Sequence, residues 1–314
     1  MKILVTGGCG YIGSILTPKL LDLGHEVTVV DIQWFGNFLP DHKQLKVIRG
    51  DIRDIENIPM DGIEAIIHLA NIANDPCGDL NAKLSWEVNA LATMKLVEKA
   101  IYHNMRQFLF ASSGSVYGVK DDPQVTEDLP LIPISDYNKT KMISERVLLS
   151  YKDEIIVQCI RPATVCGYSP RMRLDVSVNM LTMQALTNGK ITVFGGDQTR
   201  PNIHIQDITD IFLHFLHLGD KAQGIYNAGF ENISILDIAR RVIEYVPAKI
   251  MITESNDPRS YRLNSDKLIK TGFNPKYSVS DAIEGIIKAY QIGQLKDEEK
   301  WYNIKTMKRI QNLS

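Results

Sequence analysis

Runs of apolar residues alternate with segments of mixed polarity along the first half of the chain. Positions 3–5, 65–69 and 107–112 are largely apolar, which is typical of strands buried on both faces of a sheet. Segments 12–23 and 84–104 carry apolar residues three and four apart, which predicts amphipathic helices. Strands separated by helices predict parallel βαβ units with right-handed crossovers. The same pattern predicts further strands at 26–31, 46–49 and 155–160, and a further helix at 137–151.

The pattern loosens after residue 161, where Gly, Pro, Asn and Thr become frequent. Helices are predicted at 205–218 and 234–245, and a strand at 224–228. We therefore expect an α/β fold in which a doubly wound parallel sheet is joined by a smaller α+β domain. The segment 294–314 is predicted as a charged helix or a frayed end, with no function assigned. The proposed domains are 1–166 with 204–228, and 167–203 with 229–314.

Composition narrows the class of protein. The 314 residues include 35 basic and 37 acidic side chains, and a net charge of -2 gives no field that attracts nucleic acid or an anionic membrane. The four cysteines form no Cys-x-x-Cys pair and no zinc-ligand spacing, so we expect reduced thiols and no metal. No apolar run is long enough for a membrane span, and the first residues lack the pattern of a signal peptide. These features favour a cytoplasmic protein.

Three glycines, Gly7, Gly10 and Gly13, follow the first predicted strand and precede the first helix. Glycine tolerates the positive φ of a tight turn and lets the backbone approach a pyrophosphate, while the helix start supplies free N–H groups. Asp31 ends the next strand, where an acidic side chain accepts hydrogen bonds from the ribose hydroxyls of adenosine. No Arg or Lys occurs at 32–35 to meet a 2′-phosphate. The pattern predicts a Rossmann-type domain that binds NAD rather than NADP.

Tyr137 and Lys141 form a Tyr-x-x-x-Lys pair at the start of a predicted helix. A spacing of four places both side chains on one helix face, a turn apart. A cation about 4 Å from a phenol stabilises the phenolate by up to about 4 kcal/mol at an effective dielectric of about 20. We therefore expect Lys141 to lower the pKa of Tyr137 enough for Tyr137 to act as a base near neutral pH.

The glycine spacing and the Tyr-x-x-x-Lys pair together resemble the short-chain dehydrogenase/reductase superfamily, in its extended branch that modifies nucleotide sugars. The resemblance runs from the first strand to about residue 275. It implies that Ser113, at the end of the fifth strand, acts with Tyr137 and Lys141 in catalysis. It also implies cofactor contacts from the glycine loop and the catalytic pair, and from Tyr11, Ile12, Asp51, Ile52, Leu69, Ala70, Asn89 and Pro162.

The segment Ser113-Gly114-Ser115 discriminates among the reactions of that branch. Relatives that eliminate water between C4 and C6 of the sugar resemble one another in carrying Thr-Asp-Glu here. This chain has no carboxylate at these positions, which argues against a 4,6-dehydratase and leaves oxidation at C4. The favoured prediction is a 4-dehydrogenase that releases the keto-sugar. A 4-epimerase that returns the hydride is the alternative, and a non-enzymatic NAD-binding sensor ranks third.

The resemblance also implies a substrate-binding set, mostly in the second half of the chain. Arginines are expected at the substrate's phosphates because a guanidinium offers paired, planar donors. The set consists of Arg200, Arg259 and Asn179 for the phosphates, Val193 in the strand beside the nucleotide base, Thr164 beside the nicotinamide, and Asn74 in a loop that faces the sugar.

Two short segments, 71–76 and 257–262, look like those of bacterial epimerase-type enzymes for surface-polysaccharide sugars. Within that group they are similar to the type that oxidises GDP-manno-heptose at C4. This implies a GDP-linked heptose or hexose as substrate, in preference to a UDP- or dTDP-linked one. Members of the superfamily pair through two helices equivalent to 84–104 and 137–151, so we expect a homodimer or a homotetramer.

Overall fold

The computed structural model describes residues 1–254 and 260–311. Every strand and helix predicted for the first half is present. The helix predicted at 84–104 contains one π turn, Glu87–Leu91. The first-half strands β1 to β6 are Lys2–Thr6, Glu26–Asp31, Leu45–Arg49, Ala65–His68, Gln107–Ala111 and Ile156–Pro162. The first-half helices α1 to α5 are Gly13–Asp22, Asp75–Gly78, Ala82–Trp86, Ala92–Tyr102 and Asp136–Ser150.

The second half continues with shorter strands and more helices. Strands β7 to β12 are Thr164–Cys166, Lys190–Phe194, Thr199–His204, Gly224–Ala228, Glu231–Ser234 and Lys249–Thr253. Helices α6 to α11 are Ser177–Asn188, Ile205–Leu218, Ile235–Tyr245, Asp266–Ile269, Val279–Gln291 and Asn303–Gln311. Across 1–254 and 260–311, no helix is both long and apolar enough to cross a membrane.

Seven parallel strands form the central sheet in the order β10-β6-β5-β4-β1-β2-β3, which confirms the predicted doubly wound fold. After β3 the chain crosses back over β1 to add β4, so the strand order reverses between β1 and β4. In a sheet of this type, the carboxyl ends of the strands at the reversal border a crevice that binds ligands. The glycine loop leaves β1 at this point.

The sheet is buried on both faces, and alternate residues of one strand enter different cores. Ile3 and Val5 of β1 pack with Leu16 of α1 in one cluster, whereas Leu4 packs with Leu96 of α4 in another. Since successive side chains of a strand point to opposite faces, a strand between two helix layers must be apolar at consecutive positions. This explains the unbroken apolar runs of the first half.

The smaller domain is built around two short sheets. Strand β9 pairs with β7 in parallel and with β11 antiparallel, and β12 pairs with β8 in parallel. Helices α6, α8 and α10 cover these strands and enclose a separate apolar core. Because β7 belongs to this sheet, the predicted boundary at residue 166 coincides with the end of one of its strands.

The C-terminal segment is an ordered part of the fold within the described residues. Trp301 is 5% exposed and its ring lies 5.5 Å from that of Phe38. Its backbone oxygen accepts a hydrogen bond from the N–H of Leu174 at 2.9 Å. Helix α11 follows, and its Met307 is buried against the core of the large sheet. The segment therefore packs across both domains.

Candidate active site

A cleft of about 500 Å³ opens along the carboxyl edge of the large sheet. The glycine loop, the start of α5, β7 and β9 all contribute residues to its lining. Most of the predicted site residues meet here although they are far apart in the sequence. Those that line it are Gly7, Gly10, Tyr11, Ile12, Gly13, Asp31, Asp51, Ile52, Leu69, Ala70, Asn74, Ser113, Tyr137, Pro162, Thr164 and Arg200.

The glycine loop is closely packed against the chain around it. Gly7 has φ +72°, and a Cβ built there would lie 2.5 Å from the backbone nitrogen of Ala70. At Gly13 a Cβ would lie 2.4 Å from the backbone oxygen of Gly8. No side chain fits at either position, so the backbone stays bare where α1 begins. This is the shape that a dinucleotide pyrophosphate requires at a helix N-terminus.

Asp31 is held at the end of β2 by two backbone donors. Its carboxylate accepts hydrogen bonds from the N–H of Cys9 at 3.0 Å and of Gln33 at 2.7 Å. Burial raises its pKa, and these two donors together with Arg171 oppose that shift. The carboxylate is thus fixed beside the glycine loop, where ribose hydroxyls can donate to it. The residues present fit an NAD molecule along this half of the cleft.

Ser113 and Tyr137 line the cleft, and Lys141 is buried one helical turn from Tyr137. The Oγ atom of Ser113 lies 2.7 Å from Oγ of Ser115, and Ser113 also hydrogen-bonds to Tyr137. Lys141 is buried and donates from Nζ to the backbone oxygen of Ala111 at 2.7 Å. The end of β5 therefore anchors the lysine, while the serine and the tyrosine face the cavity.

The structure distinguishes Ser113 from its neighbour Ser112, a choice that the sequence left to the resemblance alone. Ser112 is 3% exposed and donates from Oγ to Glu145 at 2.5 Å, so its hydroxyl is engaged away from the cleft. Ser115 donates to Oδ1 of Asn138. Ser113 is thus the serine of this segment that lies next to Tyr137.

The ionisation of the catalytic pair differs from the sequence prediction. Burial raises the pKa of Tyr137 to about 12, and the opposing effects of Ser113 and Arg173 are smaller. Burial also lowers the pKa of Lys141 to about 7, against the influence of Glu145. Loss of solvation disfavours both the phenolate and the ammonium ion, and Lys141 is not among the groups that lower the pKa of Tyr137. When bound, oxidised NAD supplies a hydride acceptor and a positive charge at this point.

A buried ion pair behind the catalytic lysine was not anticipated. Arg161 donates to both carboxylate oxygens of Glu145, at 2.8 and 2.6 Å, and to the hydroxyl of Tyr117 at 2.6 Å. Both charged side chains are 1% exposed or less. Glu145 follows Lys141 by one helical turn, so their spacing was the signal available in the sequence. The pair fixes α5 against β6.

Besides Lys141, three predicted ligands lie outside the cleft lining, because the protein already uses their polar atoms or their surface. Asn89 bonds to the backbone N–H and oxygen of Ile72 and to Thr140. Asn179 is within α6 rather than before it, and bonds to Gly167 and to the hydroxyl of Tyr11. The side chain of Val193 is buried in the core of the smaller domain. Their placement favours structural roles over direct contacts.

The predicted substrate-binding set also includes Asn74 and Arg259. Asn74 lines the cleft, but its side chain caps α2 through Cys77 and donates to Asp175 at 3.2 Å. It has φ +70°, an uncommon backbone conformation for a residue other than glycine. Arg259 lies outside the described residues. Within 1–254 and 260–311, no group of three or more His, Cys, Asp or Glu side chains is arranged to hold a metal ion.

Among the polar cleft residues that the sequence analysis missed, four form one hydrogen-bonded group. Arg171, Arg173 and Asp175 come from the loop between β7 and α6, and Asn303 begins α11. Arg173 donates from Nε to Asp175 at 3.0 Å, and Arg171 donates to Oδ1 of Asn303 at 2.7 Å. The repeated spacing of two charges in Arg-x-Arg-x-Asp was a usable signal, whereas nothing local marked Asn303.

Comparison with known proteins agrees with this geometry. The model of the NAD-dependent epimerase/dehydratase family matches residues 3–229. UDP-glucose 4-epimerase of Corynebacterium glutamicum is 27% identical over 306 residues, which cover 88% of this chain and 92% of that protein. A dTDP-glucose 4,6-dehydratase of Streptomyces niveus is 24% identical, covering 96% and 95%.

Solved structures agree as well. The crystal structure of UDP-glucuronic acid 4-epimerase from Bacillus cereus, in complex with UDP-glucuronic acid and NAD, has a TM-score of 0.82 and 28% identity. The match covers 93% of this chain and 100% of that one. The chain is an enzyme that uses NAD, and it belongs to the NAD-dependent epimerase/dehydratase family of extended short-chain dehydrogenases.

Proposed function

We propose that this enzyme oxidises C4 of a nucleotide-linked sugar and returns the hydride to the opposite face, as a 4-epimerase. The observation that carries the proposal is that Ser113 and Tyr137 line one cleft with the glycine loop, with Lys141 one helical turn from Tyr137 and with Gly114 and Ser115 at the positions of a dehydratase's carboxylates. The epimerases among the relatives support the same reaction.

Tyr137, Ser113 and Lys141 have different roles in the proton transfer. The Tyr137 oxygen takes the proton of the C4 hydroxyl while Ser113 donates a hydrogen bond to the same sugar oxygen. Lys141 is anchored on the backbone oxygen of Ala111 and follows Tyr137 by one helical turn. In its protonated form Lys141 stabilises the phenolate, so both groups must carry their charges at the same time.

Release of the keto-sugar is the second candidate. In that case the enzyme is a 4-dehydrogenase, and a second substrate must reoxidise its NADH. The similarity of 71–76 and 257–262 to GDP-manno-heptose enzymes favours this outcome, a GDP-linked substrate and a place in surface-polysaccharide synthesis. The relatives reported above act on UDP- and dTDP-sugars. Arg200 at the substrate side suits the diphosphate of any of these nucleotides.

Product analysis separates the two candidates. The purified enzyme is incubated with GDP-, UDP- and dTDP-sugars deuterated at C4, and products are followed by NMR and by absorbance at 340 nm. Epimerisation gives the C4 epimer with the label retained and no accumulation of NADH. Net oxidation gives a keto-sugar and NADH in equal amounts, and this result would replace the epimerase proposal.

Tyr137→Phe tests the catalytic assignment. Loss of the phenolic oxygen removes the group that exchanges the C4 proton, so kcat should fall by about 10²–10⁴-fold. Tyr151→Phe is the matched control, because Tyr151 caps the other end of α5 and bonds only to Glu98 at the surface. Turnover of Tyr137→Phe at the wild-type rate would show that another group carries the proton.

A further inference from the structure

Part of the cleft wall comes from outside the NAD-binding domain. The loop between β7 and α6 brings Arg171 and Arg173 to the cleft that the glycine loop opens. Arg171 is 2% exposed as a residue, and the side chain of Arg173 is 16% exposed. Two guanidinium groups so deeply placed and so close in sequence are unfavourable unless anions balance their charge.

The side chains of the protein supply only part of the negative charge that balances these two arginines. Asp175 accepts from Nε of Arg173 at 3.0 Å, which pairs one of the two charges. Arg171 donates to the neutral oxygens of Asn303 at 2.7 Å and of Met172 at 3.3 Å. Its Nε is buried and has no hydrogen-bond partner within the described part of the chain. Asp31 acts on Arg171 without a hydrogen bond between them, so Asp175 is the one carboxylate hydrogen-bonded to this pair within the described residues.

The neighbouring residues show where Arg171 and Arg173 lie relative to the cofactor site. Both arginines act on Tyr11 of the glycine loop and lower its pKa, against the larger effect of burial. The guanidinium carbon of Arg171 lies 3.9 Å from the centre of the Phe35 ring, just beyond Asp31. Arg173 and Tyr137 line the same cleft, and the positive charge of Arg173 lowers the pKa of Tyr137. The pair thus extends from the adenosine ribose site to the catalytic tyrosine.

A dinucleotide that rests on the glycine loop has its diphosphate between these two points. We propose that Arg171 and Arg173 bind the diphosphate of NAD from the wall facing the glycine loop, with Asp175 and Asn303 as positioning residues. Guanidinium groups give paired, planar donors to phosphate oxygens. The Rossmann domain contributes backbone N–H groups to the same anion, and the loop before α6 contributes the positive charge.

A diphosphate also occurs in the nucleotide sugar, so its source has to be distinguished. Arg200, on β9 at the other side of the cleft, is the guanidinium expected for the substrate. The two loop arginines are instead next to Tyr11 and Phe35, which belong to the cofactor half. This geometry favours the cofactor. The proposal does not depend on which sugar reacts, so its failure would leave the proposed function intact.

The main test measures NAD binding rather than turnover. Arg171→Met, Arg173→Met and Asn303→Ala are compared with Arg240→Met, a control at an arginine whose side chain is 62% exposed. Calorimetric titration of cofactor-stripped protein should give a Kd for NAD raised about 10- to 100-fold in either arginine variant. Asn303→Ala should weaken binding less, and the control not at all.

Further ligands identify the group that is recognised. ADP-ribose keeps the diphosphate without the nicotinamide, and its affinity should fall as much as that of NAD, whereas the affinity for adenosine should not change. Binding of UDP, GDP and dTDP should also stay unchanged. Weaker nucleoside diphosphate binding with unaltered NAD binding would overturn the proposal and assign the arginines to the substrate.

Unaltered binding of every ligand would also overturn it and leave the pair a structural role. If Arg171→Met fails to fold, Arg171→Lys and the more exposed Arg173→Met decide the question. Lysine keeps the charge and loses the paired donors, so Arg171→Lys should bind NAD with an affinity between those of the wild type and Arg173→Met. Wild-type affinity in both variants would count against the proposal.

Discussion

Burial drives the two catalytic ionisable groups towards their neutral forms. It raises the pKa of Tyr137 to about 12 and lowers that of Lys141 to about 7. Glu145 favours the charged form of Lys141 only partly, because both of its carboxylate oxygens accept hydrogen bonds from Arg161. The positive charge of oxidised NAD favours the phenolate when it binds. The site is therefore arranged so that the base forms in the presence of the cofactor.

The lowered pKa of Lys141 makes stability depend on pH. An unfolded lysine titrates near 10.4, whereas Lys141 titrates at about 7 in the folded protein. Between these values the unfolded state binds more protons, so Lys141 makes the free energy of unfolding rise with pH. Lys141→Met should remove this contribution. Subtracting the variant's unfolding free energy from that of the wild type, at each pH from 7 to 9.5, isolates it from other titrating groups.

That difference should increase steadily across the interval. Lys139→Met serves as the control, because Lys139 is exposed on the same helix and pairs only with Asp136 at 3.4 Å. A flat difference for Lys141→Met would mean that Lys141 titrates normally in the folded protein. The variant should also be more stable than the wild type near pH 7, since it removes a buried and partly charged group.

Single residues show where sequence reasoning reached its limit. Tyr137 and Lys141 could be identified because their spacing is local and fixed by the helix. Asn89 and Asn179 could not be excluded as ligands, since what disqualifies them is hydrogen bonding to segments remote in sequence. The sequence also could not show that the pKa of Tyr137 is raised, because desolvation depends on the packed structure and not on residue type alone.

The glycine loop is an element whose role comes from close packing. Alanine usually stabilises a helix relative to glycine by about 0.5–1 kcal/mol. At Gly13 the added Cβ would lie 2.4 Å from the oxygen of Gly8, which is backbone and cannot rotate away. Gly13→Ala should therefore destabilise the protein by about 1–3 kcal/mol, as overpacking does, and reduce the NAD retained after gel filtration.

Gly285→Ala provides the matched control for that experiment. Gly285 lies inside α10, and a Cβ built there meets no atom within 4 Å. The same substitution should here raise the unfolding temperature and leave NAD retention unchanged. Equal effects of the two alanines on thermal unfolding would mean that the loop tolerates a side chain, and that its glycines are not required for the approach of the pyrophosphate.

Helix α11 shows why the role of an element can be missed although a helix was one of the two predictions for its segment. Its contribution to the cleft is one side chain, Asn303, whose oxygen accepts from Arg171 across 132 positions of sequence. Periodicity describes how a segment is amphipathic but not which surface it covers. The first-half strands and helices were predictable because their pattern and their order define the sheet, whereas the docking of a terminal helix depends on distant partners.

At the scale of the whole molecule, the cleft joins parts of the chain that have separate cores. The large sheet supplies the glycine loop and the catalytic helix, and the smaller domain supplies Arg200 and the loop before α6. Helix α11 packs against the core of the large sheet while its first residue bonds to that loop. Binding of NAD between these parts should therefore stabilise the whole protein and not the first domain alone.

The long helix of the first domain leaves apolar side chains on the surface. Leu91 is 45% exposed and Tyr102 is 81% exposed, and Lys95 and Glu98 lie between them on the same stripe. Such a stripe suits the homodimer expected from helix pairing. In a twofold interface every residue occurs twice, so Leu91→Arg would place two like charges near the symmetry axis. By light scattering, we expect the wild type to be a dimer or a tetramer and this variant to be monomeric.

Ile292→Arg is the control for surface charge, because Ile292 is 59% exposed at the end of α10 and remote in sequence from the long helix. It should leave the mass of the assembly unchanged. Each protomer carries its own glycine loop, Tyr137 and Lys141, so the Leu91→Arg monomer should still bind NAD with wild-type affinity. A wild-type monomer would contradict the pairing outright, and loss of the assembly in Ile292→Arg would move the interface to the smaller domain.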